Sequence, residues 1–318
     1  MPERKISRLE SGISKLKRKH AAYPPINVAH CCLGIAIVFA IFSKLGGNSR
    51  FANISALITI VFGAPALWLY SQYHKIDQEL RNTVVPEAIG LVRSGLKYFP
   101  HSTFTTTELQ KTLFFPWEIG TSKTFNEIRG SYKGVPFRTF QFEARTYKRP
   151  TEAHKSLFGL IIEITHGRNV KGMTKVEPDL VLKQIENKLG ELLEEPYQKI
   201  TGLDLVRLES PEFEEMFRAT STDQIEARTL LTPKMMEQLV DIHKQMDQKL
   251  SCVFLKKNLL LCIPGYEIKL GVTPETSLDS IRKELETAIY RVESLIDTLE
   301  ISGNVERPEK KRKLVRLG

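Results

Sequence analysis

The 318-residue sequence predicts an α+β protein: an N-terminal two-helix transmembrane hairpin, then a mainly antiparallel-sheet cytoplasmic domain with a long C-terminal helix. Three observations carry that prediction. Two stretches without Asp, Glu, Lys or Arg, Ala21 to Ser43 and Phe51 to His74, each reach the ~20 residues a helix needs to cross a bilayer core. From Lys123 the apolar residues alternate at period two, as in half-buried strands. From Pro274 to Ile301 they recur at three and four, as on one face of a helix.

The hairpin comes first. Leu33 to Phe42 and Leu57 to Phe62 are apolar on every side, whereas a buried helix of a water-soluble domain keeps polar positions at helical spacing. In hydrocarbon each span must satisfy its own backbone hydrogen bonds, so both are predicted helical, over about 24–43 and 51–73. Tyr23, Trp68, Tyr70 and Tyr73 suit the aromatic belts at the interfaces. Residues 1–22 form a basic lead, with Arg4, Lys5, Arg8, Lys15, Lys17, Arg18 and Lys19 against Glu3 and Glu10. The loop around Gly46, Gly47 and Asn48 has only Lys44 and Arg50. The positive-inside rule then puts the N-terminus in the cytoplasm, and two spans return the chain to that side. A signal peptide would have a shorter apolar run and no second one directly behind it.

The net charge of +9 lies at the two ends. Seven basic residues against two acidic ones in 1–20, and six against two in the 306–318 tail, account for all of it. A nucleic-acid module would carry its excess on a folded face, so no nucleic-acid partner is expected. The bilayer and its anionic headgroups are the expected partners. Lys15, Lys17, Arg18 and Lys19 at one end, and Lys310, Lys311, Arg312 and Lys313 at the other, are the candidate lipid contacts. Each is worth ~1 kcal/mol near an anionic surface. Cys31 and Cys32 fall in the first span, while Cys252 and Cys262 fall in apolar strand-like runs. No Cys-x-x-Cys occurs, so neither a disulfide framework nor a zinc knuckle is expected.

Residues 75–305 read as one cytoplasmic domain. The 3–4 spacing of Tyr73, Ile76 and Leu80 continues the second helix out of the membrane until Pro86 kinks or ends it. A short helix over Thr107 to Phe114 follows a Thr-rich cap. Glu127 to Tyr132 and Val135 to Tyr147, joined by Lys133-Gly134, form a hairpin. Leu160, Ile162 and Ile164 mark another strand, Asp179 to Leu193 a helix and Leu203 to Leu208 a strand. Ser210-Pro211-Glu212 and Thr232-Pro233 are helix starts, the second helix running through Met246. Ser251 to Leu255 and Leu259 to Ile263 form a second hairpin. In the last helix Leu278, Ile281, Leu285, Ala288, Val292, Leu295 and Leu299 fit a coiled-coil seam. Ile289 and Ile296 widen the stripe, which favours packing inside the domain. Self-association or a protein partner through 278–299 is the other use of the same spacing.

No phosphate loop, dinucleotide fingerprint, nucleophile elbow or zinc helix occurs. His243 and Asp247, four apart, are half a metal site. No catalytic residue, cofactor site or metal site is therefore assigned. One block stands out: Leu208 to Phe217, then Thr222 to Arg228, then Leu230 to Glu237. It resembles the signature of the bacterial family catalogued as domain of unknown function 3137. That resemblance implies N-terminal spans at the bacterial inner membrane and a cytoplasmic domain of this size, and it brings no activity. Read as a strand, Gln224 to Leu231 puts Glu226 and Arg228 on one face, with Asp223 capping or turning ahead of them. Their first use is cross-strand pairing; the sharper use is a ligand recess of Asp223, Glu226 and Arg228 beside the helix begun at Thr232. The sequence thus favours a membrane-anchored binding or scaffold module. The alternative is a membrane-tethered enzyme with acids from 208–237.

Overall fold

The computed structural model describes residues 2–45, 49–115, 118–146, 156–178, 202–246 and 250–301. The predicted helix over Asp179 to Leu193, the Gly46 to Asn48 loop, Asp247 and the 306–318 tail lie outside the described residues. The chain divides into two compact units: Met1–Ser94 with Lys269–Glu286, and Gly95–Ile268 with Thr287–Gly318.

The first unit is helical: α1 (Pro2–Ala21), α2 (Ile26–Leu45), α3 (Ser49–Glu79), a π-turn at Leu80–Val84, and α4 (Val85–Val92). Two helices are long and apolar enough to cross a membrane. Their outward side chains are large and apolar: Leu57 is 64% exposed and Ile60 65%, with Ile37, Ile41, Phe42 and Leu67 also exposed. Small residues fill the seam between α2 and α3, where Ala29, Ala36 and Ala66 are buried. A Cβ at Gly63 would sit 3.5 Å from that of Ala36. The Thr59 hydroxyl donates to the Ser55 carbonyl at 2.8 Å. Small residues let helix backbones approach where lipid supplies no hydrophobic drive. The predicted aromatic anchors gather near the start of α2 and in the second half of α3: Tyr23 meets Trp68 at 5.7 Å between centroids and Tyr73 at 6.2 Å.

The lead is more than a basic tail. It folds as α1, with Leu9, Ile13 and Leu16 buried at 4–3 spacing. Lys19 pairs with Glu79, and Gly12 packs toward Val84, so α1 runs antiparallel to the exit of α3. The same exit is held by a strap before the C-terminal helix. The Val272 N–H donates to Asp77 Oδ1 at 2.8 Å, and Arg81 Nε donates to the Leu270 carbonyl at 3.1 Å. Pro86 begins α4 without breaking the run, because the π-turn absorbs the lost hydrogen bond ahead of it.

The second unit is a sheet with short helices. In chain order it has β1 (Lys97–His101), α5 (Thr106–Lys111), β2 (Ile119–Tyr132), β3 (Val135–Thr146), β4 (Ser156–Thr165), β5 (Met173–Pro178) and β6 (Asp204–Val206). Then come α6 (Pro211–Met216), β7 (Phe217–Ser221), α7 (Gln224–Leu230), α8 (Pro233–Gln245), β8 (Ser251–Leu255), β9 (Asn258–Pro264) and α9 (Leu278–Thr298), which is shared with the first unit. Among the described residues the nine strands run in the order β1-β2-β3-β4-β9-β8-β5-β7-β6, every neighbour antiparallel. Lys133 and Gly134 turn between β2 and β3 with φ of 49° and 79°, the positive values a two-residue hairpin turn requires.

The sheet has an aromatic face, where Phe140, Phe142, Ile161 and Cys262 are buried beneath Phe104, Leu109, Phe114 and Phe115. The α5 cap is a reciprocal box between Thr105 and Glu108. On α9 all nine positions of the stripe from Leu278 to Leu299 are buried within the chain, while Tyr290 is 71% exposed. Packing inside the molecule thus accounts for the heptad-like spacing.

One expectation is overturned. Gln224 to Leu230 is a helix, not a strand. Its alternation of Ile225 and Ala227 with charged residues is two residues long at each position, too short to distinguish period two from a helical turn capped by Asp223.

Candidate functional site

The 208–237 block is a run of helix starts. Ser210 accepts from Phe213 N, Asp223 from Ile225 N and Glu226 N, and Thr232 from Met235 N, each at the N-cap of α6, α7 and α8. Two of these were legible from the proline that follows the cap; α7 has no such proline. The Glu226 carboxylate then accepts the N–H groups of Lys171 at 2.9 Å and Gly172 at 2.8 Å. Met173 N donates to Thr222 Oγ1 at 2.9 Å, so α7 pins the start of β5. A Cβ at Gly172 would lie 2.4 Å from Thr222 Oγ1, so the close approach requires glycine.

The structure sets Asp223 and Glu226 side by side against Gly172 and leaves Arg228 apart from them. Asp223 is at the cap and Glu226 faces the Lys171–Gly172 backbone. Arg228, two residues along a helix and so ~200° around it, is exposed elsewhere. Other carboxylates of the block also have partners: Glu212 pairs with Lys244 at 2.7 Å, and Glu214 accepts from Leu208 N at 2.7 Å.

A different constellation is more concentrated. Register places Arg129 of β2 opposite Arg138 of β3, and Arg138 opposite Glu163 of β4, so all three share the aromatic face. Glu127 joins them because of a bulge. Between Phe125↔Gln141 and Ile128↔Thr139, β2 has one residue more than β3, and Asn126 sits there at φ 51°. That extra residue reverses the phase, so Glu127 turns to the face of Arg129 instead of that of Phe125. The buried Asn126 side chain is held by the Tyr98 hydroxyl, which donates to its Oδ1 at 2.6 Å.

Each arginine is fixed twice. Arg129 donates through Nε to Glu127, which is fully buried, and its guanidinium lies 4.7 Å from the Phe99 ring centroid. That hydrogen bond raises the guanidinium above its ordinary range. Arg138 donates through Nε to Glu163 and lies 5.0 Å from the Phe104 ring. Asn258 Nδ2 also donates to Glu163, and Thr103 N to Glu127 at 3.3 Å. Nearby, the Glu108 carboxyl is held below its ordinary value, first by the Thr105 N–H and also by the charge of Arg138. Arg129, Gly130, Pro136, Phe137, Arg138, Glu163 and Thr165 line a recess of about 350 Å³. Sequence reasoning missed it, because a bulge and a cross-strand register leave no local spacing to read.

The remaining candidates are simpler. Lys15 and Arg18 are exposed on α1, Lys17 is half-buried, and Lys19 pairs with Glu79. His243 is buried on α8 against the Phe217 ring at 4.4 Å, and its Nδ1 has no hydrogen-bond partner among the described residues. Among the described residues no group of three or more His, Cys, Asp or Glu is placed to hold a metal ion.

Fold and site together define a class: a chain with two helices apolar enough to span a membrane, joined to an antiparallel-sheet domain with a charged recess. Residues 155–301 match the family model described as protein of unknown function, DUF3137. The match begins at the edge of β4, so the β2–β3 hairpin with Arg129 and Arg138 lies outside it. No curated protein matches. Among solved structures, the crystal structure of the mycobacterial trehalose monomycolate transport factor A, TtfA, is similar at 13% identity with a TM-score of 0.33. The alignment covers 69% of this chain and 94% of that one. A likeness at that level says nothing about ligand or role.

Proposed function

We propose that this is a bacterial inner-membrane protein with two spans and both termini in the cytoplasm, whose sheet domain acts as a binding or scaffold module. The observation that carries the reading is the outward apolar surface of α2 and α3. Leu57, Ile60, Ile41 and Phe42 are each more than half exposed, a surface suited to lipid and poorly tolerated in water. The charge of the lead against that of the loop supports the orientation.

The basic residues join the membrane reading unequally. Because α1 runs back along the exit of α3, each turn away from Pro24 moves its charges ~5 Å further from the headgroups. Lys17 to Lys19 stay within about two turns, comparable with a Debye length of ~10 Å, Lys15 lies about half a turn beyond, and Arg4 to Arg8 are much further. The tail lysines, outside the described residues, are proposed as the second contact.

Alkaline carbonate extraction of membranes holding the full chain tests the anchor. The protein should remain in the pellet and leave only with detergent; release by carbonate would contradict the two spans. Crosslinking in intact membranes followed by solubilisation and capture tests the scaffold role. A partner recovered in stoichiometric amount is expected, and recovery of this chain alone would contradict it.

A further inference from the structure

Two arginines directly opposite each other on neighbouring strands repel, and a sheet gains nothing from the pair itself. The fold nevertheless supplies each with its own carboxylate, one fully buried and one 8% exposed. It also seats each guanidinium on a phenyl ring. Buried ion pairs are a weak source of stability, since apolar residues of the same volume often do as well. Four charged side chains in this arrangement are therefore poorly explained by folding alone.

What the arrangement does achieve is preorganisation. Both carboxylates accept from Nε, the inner edge of the guanidinium, which leaves the Nη edge for other work. On Arg129 one Nη donates to Thr103 Oγ1 at 3.0 Å. On Arg138 the Nε bond is the only hydrogen bond among the described residues. The recess of about 350 Å³ opens beside both, with Thr165, whose hydroxyl donates to Asn258 Oδ1 at 3.3 Å, among its lining residues. Planar forks with fixed rotamers are the geometry that recognises oxyanions in bidentate fashion.

We propose that this recess is an oxyanion site that takes a phosphate group, held between the Nη edges of Arg129 and Arg138. The proposal rests on the reading of the sheet as a binding domain and names the chemistry of what it binds. The neutral balance of two arginines and two glutamates makes the site selective through geometry more than through charge, so affinity for the bare ion is modest. The phosphate can belong to a soluble molecule or to a lipid headgroup, and the two sources separate experimentally.

The test uses the full chain in detergent micelles, titrated with inorganic phosphate by calorimetry, with chloride at matched ionic strength as control. Saturable binding is expected. Arg138→Lys keeps the charge and loses the fork, and should weaken binding ~10-fold, the worth of one charge-assisted hydrogen bond. Should that variant fail to fold, Pro136→Glu places a carboxylate at the exposed rim, two residues from Arg138 on the same strand face, and should weaken binding as well. Nanodiscs with phosphatidic acid, compared with phosphatidylcholine alone, identify a headgroup source if they compete with free phosphate. No binding of phosphate in micelles or of phosphatidic acid in nanodiscs overturns the proposal, as does binding unchanged in a folded variant. In either case carbonate extraction and partner capture are unaffected, so failure here is distinct from failure of the membrane-scaffold reading.

Discussion

Asp223 and Glu226 sit three residues apart and do different structural jobs. Asp223 satisfies two of the free N–H groups at the start of α7, and Asp223→Ala should cost ~1 kcal/mol, as N-cap losses do. Glu226 accepts two N–H groups from another segment, so Glu226→Ala leaves both unpaired and should cost ~1–3 kcal/mol. Thermal melts of the two variants check the order. His243 sets a pH response. Burial holds its imidazole below the ordinary 6.5, so the unfolded chain takes up the proton first as pH falls. Stability is full above about 6.5 and is lost as pH drops through that value toward the lower folded one. His166, shifted the same way by burial, adds to the effect. Melting temperature should fall from about pH 7 to about pH 5.5, and His243→Phe should flatten part of that fall. Burial also pushes the Cys262 thiol up to about 12, with Lys175 opposing slightly, and Cys252 further still. Neither should react with a maleimide in the folded protein, as mass spectrometry of labelled samples would show.

Elements were legible where their signal is local. The two apolar helices, both hairpins, α8 and α9 follow from runs, turns and caps a few residues long. β5 and β7 did not, because they are short interior strands whose pairing partners are distant in sequence. β1 carries Pro100 and lies at an edge, where a strand needs fewer hydrogen bonds. Helix α1 was obscured by composition, since seven basic residues conceal a stripe of Leu9, Ile13 and Leu16. If that stripe holds α1 to the exit of α3, Ile13→Asp should free the lead, read as faster proteolysis at Lys15 to Lys19 in the full chain. On the aromatic face Phe140 is fully buried, and Phe140→Ala should cost ~3–5 kcal/mol. Denaturant unfolding would measure that loss. The recess was the least legible feature, because Arg129, Arg138 and Glu163 meet only through sheet register and Glu127 only through the bulge at Asn126.

At the scale of the whole molecule, charge and hydropathy act together: apolar helices α2 and α3 carry the exposed hydrophobic surface, and the +9 excess sits at the chain ends. The proposed hairpin, with its ends on the side of anionic headgroups, would account for both features. The anion chemistry of the recess is a separate property and can fail without disturbing this one. Topology is therefore the most direct test. With Cys31, Cys32, Cys252 and Cys262 replaced by alanine, a single cysteine is placed at Asn48 in one protein and at Gly318 in another. An impermeant maleimide applied to spheroplasts should label the Asn48→Cys protein in intact cells and the Gly318→Cys protein only after lysis. Labelling of Gly318→Cys in intact spheroplasts, or of Asn48→Cys only after lysis, would contradict the membrane hairpin.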